Sequence, residues 1–202
     1  MAGTFSILAT SSDPKLLGVA VASGSTSVGD RVPYAKPGIG VIATQAYTNV
    51  VYGIKGLELL TEGLSPKETL DKLLMEDPDK ELRQVAIMDF KRRKAAFTGA
   101  KAPEWHREII GEDYIVIGNL VTRKEVVNRM AKEFEGSSGD LAWRMSRALK
   151  AGSESGGDMR GEKSAALIVV SSEKVEAEIK VDMHENPIEE LRRRLRILQE
   201  KE

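Results

Sequence analysis

The sequence of 202 residues contains no cysteine and only two histidines. Without cysteine the chain forms no disulfide bond, and it has neither a thiol nucleophile nor a cysteine-ligated metal site. Two histidines do not make the three-ligand site that is usual for catalytic zinc unless carboxylates contribute to it. We therefore predict that the protein holds no metal ion.

Long apolar runs are also lacking. No stretch of the sequence approaches the roughly 18 to 20 apolar residues that a membrane-spanning helix requires. The first residues, from Met1 to Thr4, lack the basic region followed by an apolar core that marks a secretory signal. We therefore expect a cytoplasmic protein that has no membrane partner.

Neither sign of charge dominates the sequence. It has 30 lysines and arginines against 31 aspartates and glutamates, which gives a formal net charge of −1. This balance argues against nucleic acid as the main partner, and we expect a small-molecule substrate or ligand instead. Lys, Arg and Glu are abundant whereas Asn and Gln are few, a bias that is reported for heat-adapted proteins.

Short apolar runs punctuated by glycine are the most prominent feature that the sequence does have. Leu16 to Ser23 and Gly38 to Ala46 are too short for lone helices and rich in β-branched residues, so both are predicted to be strands with both faces covered. Thr4 to Thr10 is predicted to be a further strand, which the turn signal Ser12-Asp13-Pro14 ends. The loop from Gly24 to Pro37 contains two prolines and two glycines, and we expect no regular structure there.

The rest of the chain alternates between strand and helix patterns. Further strands are predicted over Arg83 to Asp89, Lys94 to Thr98, Glu104 to Ile110, Tyr114 to Asn119, Ser164 to Val170 and Val175 to Asp182. A first helix is predicted over Val50 to Leu64, with Val50, Ile54, Leu57 and Leu60/Leu64 at helical spacing. Two more helices are predicted to begin at the capping boxes Ser65/Glu68 and Thr122/Glu125. A fourth is predicted from Leu141 to Gly152, and a fifth after the N-cap Asn186.

The order of these elements predicts the fold class. Strands, two helices, strands, two helices, strands and a final helix suit two sheets with helices packed outside them. We therefore predict one α+β domain over residues 1–202 with the architecture of a four-layer αββα sandwich. The last helix carries Arg192, Arg193, Arg194 and Arg196 on one side, and we expect this basic face to help the protein form a homo-oligomer.

The segment from Gly156 to Ser164 resembles a phosphate-binding loop at first sight. It departs from that motif because Glu162 separates Gly161 from Lys163, and because a β-branched strand follows instead of a helix. We therefore predict no nucleotide and no cofactor. Asp158 and Arg160 stay open to two interpretations, an active-site pair on a flexible loop or an ion pair on a glycine turn.

The sequence positions of the two histidines give little evidence for a catalytic or metal-binding role. Asp182 and His184 are two residues apart and would share one face of a strand that reaches them, so they form either a weak metal or acid–base pair or the cap of a strand end. His106 follows Trp105 on a weakly patterned strand and is interpreted as a surface residue. No serine lies in a Gly-x-Ser-x-Gly elbow, so a serine triad has no support.

Thr4 begins a strand close to the start of the chain. An N-terminal threonine combines a nucleophile with its own base, because the free α-amino group accepts the hydroxyl proton near neutral pH. Many proteins begin with a strand and a threonine, so this position alone does not establish catalysis.

A set of short motifs adds to this interpretation. They are Thr4-Phe5-Ser6-Ile7, Gly18-Val19-Ala20-Val21-Ala22-Ser23, Val28-Gly29 with Pro33, Ala43-Thr44-Gln45 with Asn49, Tyr52-Gly53 with Gly56-Leu57, Arg83-Gln84, Thr98-Gly99, Gly118-Asn119, Gly156-Gly157-Asp158-Met159-Arg160-Gly161, Ser164-Ala165, and Val181-Asp182 with His184 and Pro187. Through them almost the whole chain resembles the domain of unknown function 1028 family, which is placed in the superfamily of N-terminal nucleophile hydrolases. The resemblance implies an αββα sandwich and amide-bond hydrolysis on a substrate that is not established.

The first hypothesis for function is an N-terminal nucleophile hydrolase that acts on a small amide. Thr4 attacks in this hypothesis, Ser23 and Asn119 position it or the oxyanion, and Asp158 with Arg160 orients the α-amine or a substrate carboxylate. Gln45 and Asn49 are candidate substrate contacts.

One departure from the family pattern favours a second hypothesis. Thr usually follows the initiator Met directly, whereas Ala2 and Gly3 intervene here. With Gly3 bonded to its nitrogen, Thr4 lacks its base. The alternative is therefore a ligand-binding or assembly module that retains the sandwich without catalysis.

Overall fold

The structure of the protein is a computed structural model that describes residues 3–12 and 15–200. Within these residues the chain forms ten strands and five α-helices. The strands are β1 (Thr4–Ser12), β2 (Lys15–Ser23), β3 (Pro33–Lys36), β4 (Gly40–Ala46), β5 (Arg83–Asp89), β6 (Lys94–Thr98), β7 (Arg107–Ile110), β8 (Tyr114–Asn119), β9 (Ser164–Val170) and β10 (Val175–Val181). The helices are α1 (Val51–Thr61), α2 (Pro66–Glu76), α3 (Glu125–Gly136), α4 (Leu141–Glu154) and α5 (Pro187–Gln199).

The strands form two antiparallel sheets, so the prediction of an α+β protein is confirmed. The larger sheet has the order β10-β9-β2-β1-β8-β7, and the smaller has the order β3-β4-β5-β6. The strand β1 lies at the centre of the larger sheet, because it pairs with β2 on one side and β8 on the other. The predicted turn at Asp13 and Pro14 lies outside the described residues.

Three hydrophobic clusters explain how the sequence pattern produces this arrangement. One joins the larger sheet to α3, α4 and α5 and includes Phe5 and Met130. A second contains side chains of both sheets, such as Leu8 and Val19 from the larger and Met88 from the smaller. The third joins the smaller sheet to α1 and α2. The central strands are thus covered on both faces, as their continuous hydrophobicity predicts.

The loop between β2 and β4 contains more regular structure than the sequence predicts. Pro33 to Lys36 form β3, and Val28 to Asp30 form a turn of 3-10 helix. The two prolines argue against a strand in the sequence, because proline has no backbone N–H to donate. Proline is tolerated here because β3 is an edge strand and Pro33 is its first residue. The next strand begins at Gly40, since Gly38 adopts a left-handed φ of 70° in the preceding turn.

The buried face of α1 differs in part from the predicted one. Leu60 is buried and Leu57 packs against the core as predicted. Val50 and Ile54 are exposed, however, and the buried face includes Tyr52, Gly53 and Gly56 instead. The glycines decide the orientation because they let the helix approach the smaller sheet closely. A Cβ at Gly53 would lie 2.1 Å from Cδ2 of the Tyr34 ring.

Helix ends confirm some predicted signals and correct others. The capping box of Ser65 and Glu68 is present at the start of α2. The predicted box at Thr122 is wrong, because α3 begins at Glu125 without a side-chain cap. The prediction that α4 stops at Gly152 is also wrong, since Gly152 is buried inside the helix. A Cβ there would lie 2.8 Å from Cγ of Met130, so this glycine is needed for packing.

The basic face of α5 is largely paired within its own helix. Arg192 contacts Glu189, and both Arg193 and Arg194 contact Glu190. These ion pairs weaken the electrostatic part of the predicted oligomer contact. No helix in the described ranges is long and apolar enough to cross a membrane.

The close packing of α1 predicts an asymmetry between two glycine substitutions. Gly53→Ala should lower the free energy of unfolding by about 1 to 2 kcal/mol, because the new methyl group meets the Tyr34 ring. Gly136→Ala is the matched control, since a Cβ there meets nothing within 4 Å, and it should leave stability unchanged or raise it by about 0.5 kcal/mol. Urea unfolding measures both. Equal effects would show that the Gly53 contact is not a constraint.

The Asp77–Arg83 pair, which links the end of α2 to β5, predicts a pH dependence. The hydrogen bond from Arg83 is the main cause that lowers the pKa of Asp77 from 3.8 to about 2. A depressed pKa stabilises the fold above the unfolded value, and this contribution of about 2 kcal/mol is lost as the pH falls from 4 towards 2.

Asp77→Asn should therefore destabilise the protein near neutral pH, and its deficit relative to wild type should shrink as the pH approaches about 2. Asp71→Asn, which removes an exposed partner of Lys67, is the control and should cost less than about 1 kcal/mol. Urea unfolding at several pH values measures the difference. A deficit of Asp77→Asn that stays constant over this range would contradict the linkage.

Candidate functional site

A row of polar residues crosses the larger sheet at one end. The strand register aligns Ser164 of β9 with Ser23 of β2, Ser23 with Thr4 of β1, and Thr4 with Asn119 of β8. Residues that lie opposite one another in an antiparallel sheet point to the same face. All four are buried, with Thr4 2% exposed and the other three 0%.

This row faces the smaller sheet. Two residues farther along the same strands and on the same face lie Ser6, Val21 and Ile117, and the two apolar ones belong to the hydrophobic cluster that both sheets share. The opposing position in the smaller sheet is occupied by Gln45 of β4 and Gln84 of β5, which lie in register. The layer between the sheets therefore ends in polar residues from both sides.

Hydrogen bonds connect these two sets of buried residues. Ser6 Oγ donates to Gln45 Oε1 at 2.6 Å, and Gln45 Nε2 donates to the Thr4 carbonyl oxygen at 3.1 Å and to Gln84 Oε1 at 2.7 Å. Asn119 Nδ2 also donates to Gln84 Oε1, at 3.1 Å. The glutamines thus fix the backbone of Thr4 and the amide of Asn119. Among the described residues, Asn119 Oδ1 is buried without a hydrogen-bond partner.

The carbonyl group of Gly3, which precedes Thr4, lies at the centre of a cluster of donors. Thr4 Oγ1 and Ser23 Oγ each donate to this oxygen at 2.6 Å, and Arg160 Nη2 donates to it at 3.3 Å. The two hydroxyl oxygens are 3.1 Å apart. A hydroxyl nucleophile, an amide bond and donors for the amide oxygen are therefore assembled in one place.

Asp158 closes this end of the sheet. Its side chain is 0% exposed, and Oδ2 accepts from the Gly24 backbone N–H at 2.7 Å and from Arg160 Nη2 at 2.8 Å. Oδ1 accepts from the backbone N–H and Nε of Arg160 at 2.9 and 3.0 Å. The hydrogen bond to this carboxylate raises the pKa of Arg160. Asp158 is thus a buried carboxylate with several hydrogen bonds, and its partner Arg160, whose side chain is 34% exposed, also donates to the Gly3 carbonyl oxygen.

The loop after α4 brings Asp158 to this position through its own backbone. Gly156 and Gly157 adopt left-handed φ values of 119° and 56°, which glycine tolerates. The loop then pairs with the residues that directly follow β8. The Thr122 N–H donates to the Gly157 oxygen, and the Met159 N–H donates to the Leu120 oxygen. Glu162 Oε1 accepts from the Asp158 N–H at 2.9 Å, so it orients the loop from the other side.

Two residues other than glycine adopt strained backbone conformations beside the site. Ala46, directly after Gln45, has a φ of 70°, and Leu120, directly after Asn119, has a φ of 49°. Such conformations cost about 1 to 3 kcal/mol and are maintained only where the surroundings determine them. Both strands therefore turn sharply at the polar cluster.

The other predicted candidates lie elsewhere. The Asn49 side chain accepts a hydrogen bond from the Val51 N–H at 3.1 Å and donates to Asp77 at 3.4 Å, so these side-chain bonds go to the start of α1 and the end of α2. His184 is exposed, and its Nδ1 accepts from the Asn186 N–H. The described residues contain no group of three or more His, Cys, Asp or Glu that could hold a metal ion.

Sequence reasoning missed several members of the cluster. The sequence predicts no role for Gly3 beyond its bond to the Thr4 nitrogen, and it predicts no role for Ser6, Gln84 and Glu162. A signal was available for Ser6, Gln45 and Gln84, because each is a polar residue at an inward position of a predicted core strand. No local signal was available for Gly3, because its contacts with Leu120, Asp158 and Arg160 join positions more than a hundred residues apart.

A family model and one solved structure identify the same family. The model of a family of unknown function (DUF1028) matches residues 4–191. A crystal structure of a Silicibacter pomeroyi protein with the same family model is similar with a TM-score of 0.90 and 29% identity, over 96% of this chain and 85% of that one. Anbu, an ancestral β-subunit from Yersinia bercovieri, matches with a TM-score of 0.45 and 12% identity, over 96% and 93%. The curated proteins yield no match.

The burial and the several hydrogen bonds of Asp158 predict a large effect of a nearly isosteric substitution. Asp158→Asn should lower the free energy of unfolding by about 3 kcal/mol, because it leaves the guanidinium of Arg160 without its carboxylate and places an amide donor among donors. Asp182→Asn, at an exposed aspartate, is the control and should have little effect. A loss below about 1 kcal/mol for Asp158→Asn in urea unfolding would contradict a structural role for the pair.

Proposed function

Because the family model spans residues 4–191, the chain belongs to the family of unknown function DUF1028, and we propose that it is an N-terminal nucleophile hydrolase of small amides with Thr4 as the nucleophile. In this proposal the two sheets and their flanking helices form one domain, a four-layer αββα sandwich. The observation that carries the proposal is the cluster of hydroxyl and guanidinium donors around the Gly3 carbonyl oxygen.

Self-cleavage is the step that releases the nucleophile. Thr4 Oγ1 attacks the Gly3 carbonyl carbon, the bond between that carbon and the Thr4 nitrogen breaks, and the hydroxyl proton passes to the nitrogen. The product is an ester between Gly3 and Thr4, which water then hydrolyses to a free glycine carboxylate and a free Thr4 hydroxyl. Ser23 Oγ and Arg160 stabilise the developing oxyanion, because both already donate to this oxygen.

Release of Gly3 supplies the missing base. The α-amino group of Thr4 then accepts the proton of its own hydroxyl, as its ordinary pKa of about 7.7 to 8.0 allows near neutral pH. Gln45 Nε2 fixes the Thr4 carbonyl oxygen, so the residue does not shift when its amide nitrogen is freed. In the proposal Asn119 Oδ1, an acceptor without a partner on the residue in register with Thr4, accepts a hydrogen bond from the new amine.

Substrate hydrolysis follows the same route. Thr4 Oγ1 attacks the carbonyl carbon of the substrate amide, the carbon–nitrogen bond breaks, and the amine leaves with the proton from the α-amino group. Water hydrolyses the resulting ester and regenerates the free hydroxyl. In the proposal Ser23 and Arg160, which donate to the Gly3 oxygen in the uncleaved chain, donate to the oxyanion that forms on the substrate. Removing one such donor typically costs about 10²- to 10³-fold in rate.

The second candidate is a non-catalytic binding or assembly module. The burial of Thr4 while Gly3 is in place favours it, because no substrate carbonyl reaches a hydroxyl that is 2% exposed. The same burial is expected of an uncleaved precursor, so the fate of the Gly3–Thr4 bond decides between the two. For either candidate we propose a small-molecule partner and a homo-oligomer.

Mass spectrometry of the intact protein tests self-cleavage. The wild-type chain should lose every residue that precedes Thr4, whereas Thr4→Ala should keep them because it lacks the attacking hydroxyl. Ser23→Ala should slow the loss by about 10²- to 10³-fold. Thr10→Ala is the control, since it removes a buried threonine of the same strand that contacts the Leu16 carbonyl instead, and it should cleave normally. Cleavage of Thr4→Ala at the wild-type rate would show that another protease acts.

Activity of the two forms tests the nucleophile. Protein that begins at Thr4 should hydrolyse small amides about 10²- to 10⁴-fold faster than protein that retains Gly3, because only the former has the base. Equal rates on a panel of small amides would disprove the assignment, and Ser23 or a water molecule near Asp158 would become the better candidate.

A further inference from the structure

We infer that Gln84 is a positioning residue of the site, which fixes the side-chain amide of Asn119 so that its oxygen, and not its nitrogen, faces Thr4. The inference rests on the proposed function and deepens it, because it assigns Asn119 to the α-amino group and excludes it from the oxyanion. It follows from the direction of the hydrogen bonds among the buried amides between the two sheets.

Backbone oxygens determine the orientation of the Gln84 amide. This side chain is 0% exposed, and its Nε2 donates to the Gly118 carbonyl oxygen at 3.1 Å and to the Arg107 carbonyl oxygen at 3.3 Å. A carbonyl oxygen only accepts hydrogen bonds, so Nε2 has to face these two groups. The reverse orientation would place Oε1 against two other oxygens. Gln84 therefore directs its own oxygen towards Asn119 and Gln45.

The oxygen of Gln84 in turn orients the amide of Asn119. Gln84 Oε1 accepts from Asn119 Nδ2 at 3.1 Å and from Gln45 Nε2 at 2.7 Å. A flipped Asn119 amide would bring two oxygens to this short distance, so its nitrogen stays on the side of Gln84 and its oxygen is directed away. Gln45 supports this arrangement, because its Nε2 also donates to the Thr4 carbonyl oxygen, which again only accepts.

The oxygen of Asn119 is an acceptor without a donor. Among the described residues it is buried and has no hydrogen-bond partner, which is uncommon in folded proteins. The Gly3 oxygen bonds to Ser23 of β2. Across a trans peptide bond the following N–H points the opposite way, so the nitrogen of Thr4 faces β8, the strand that contains Asn119. Cleavage before Thr4 adds N–H donors at this nitrogen.

The two hydrogen-bonding roles at the site are therefore divided between different residues. The oxygen of Asn119 stabilises the protonated α-amino group of Thr4, and hydrogen bonding to the charged form raises the pKa of an amine. An oxyanion needs donors instead, which Ser23 and Arg160 supply in the proposed function. Asn119 thus has no part in holding the oxyanion.

Two charged side chains also act on this amine, and both come from the loop after α4. Arg160 donates to the Gly3 carbonyl oxygen, and Asp158 is the ion-pair partner of Arg160. The neighbouring strands β2, β4 and β8 contribute the neutral side chains of Ser23, Gln45 and Asn119. Because the charged pair is retained in every variant below, differences in the pKa of the amine report on Asn119.

A mutant cycle on protein that begins at Thr4 tests the inference. The pKa of the α-amino group is measured from the pH titration of the Thr4 ¹³Cα resonance in protein labelled with ¹³C-threonine, which requires no catalysis. Asn119→Leu should lower this pKa by about 1 pH unit, because the acceptor is lost. Gln84→Met should lower it as well, since an Asn119 amide that is free to turn serves the charged and the neutral amine alike. Asn119→Leu should therefore have little effect in the Gln84→Met background.

Two further variants serve as controls. Gln84→Glu keeps an oxygen that accepts from Asn119, so Asn119→Leu should lower the pKa in this background as much as in wild type. This comparison tests the inference even if Gln84→Met does not fold. Thr98→Val removes another acceptor of Gln84 Nε2 but leaves both backbone carbonyl groups, and it should not change the pKa.

The outcomes separate the positioning role from the proposed function. The positioning role is refuted if Asn119→Leu leaves the wild-type pKa unchanged, if it lowers the pKa equally in the Gln84→Met background, or if its effect disappears in Gln84→Glu. Hydrolysis of p-nitrophenyl acetate at equal rates by protein that begins at Thr4 and by Thr4→Ala refutes the proposed function. The titration then still decides whether Gln84 fixes the Asn119 amide.

Discussion

The layer between the two sheets is apolar except at one end, and this constraint organises the molecule. There Thr4 and Asn119 of the larger sheet face Gln45 and Gln84 of the smaller one, and side-chain amides join them. Buried polar groups are tolerated only when they are paired, so each glutamine fixes the position of its partners. The two sheets are therefore held in one relative register at the end where Asp158 closes the structure.

The same end of the layer contains the hydroxyl groups that the proposed function uses, and Gly3 buries them. Gly3 fills the space beside Thr4, and its carbonyl oxygen satisfies the hydroxyls of Thr4 and Ser23. Those bonds stabilise the uncleaved chain, yet they are the bonds that a tetrahedral oxyanion would strengthen. Loss of Gly3 would open a space bounded by Asp158 and the Leu120 oxygen. Gly3 is thus held by hydrogen bonds at its carbonyl oxygen and by close packing at its α-carbon.

The sequence predicts those parts of the fold that have strong local signals. The bounds of β5, β8 and β9 follow from their apolar runs, and the start of α2 follows from Ser65 and Glu68. The buried face of α1 could not be predicted in full, because Val50 and Ile54 are apolar and at helical spacing yet exposed. Only contact with the smaller sheet selects the face that contains Gly53 and Gly56. The placement of Thr4, Ser23, Asn119, Asp158 and Arg160 together was anticipated through family resemblance. The role of Gly3 was not, since it depends on contacts with residues more than a hundred positions away.

Trapping of the acyl-enzyme tests the central claim, that Thr4 Oγ1 is the nucleophile, most directly. Protein that begins at Thr4 is mixed with p-nitrophenyl acetate, quenched in acid and digested with trypsin, and the peptides are analysed by mass spectrometry. The account predicts one acetyl ester per molecule that hydroxylamine removes from the intact protein before digestion, and, without hydroxylamine, one acetyl group on Thr4 within the peptide Thr4 to Lys15. An acetyl ester on Ser23, in the peptide from Leu16 to Arg31, with Thr4 unmodified would contradict it.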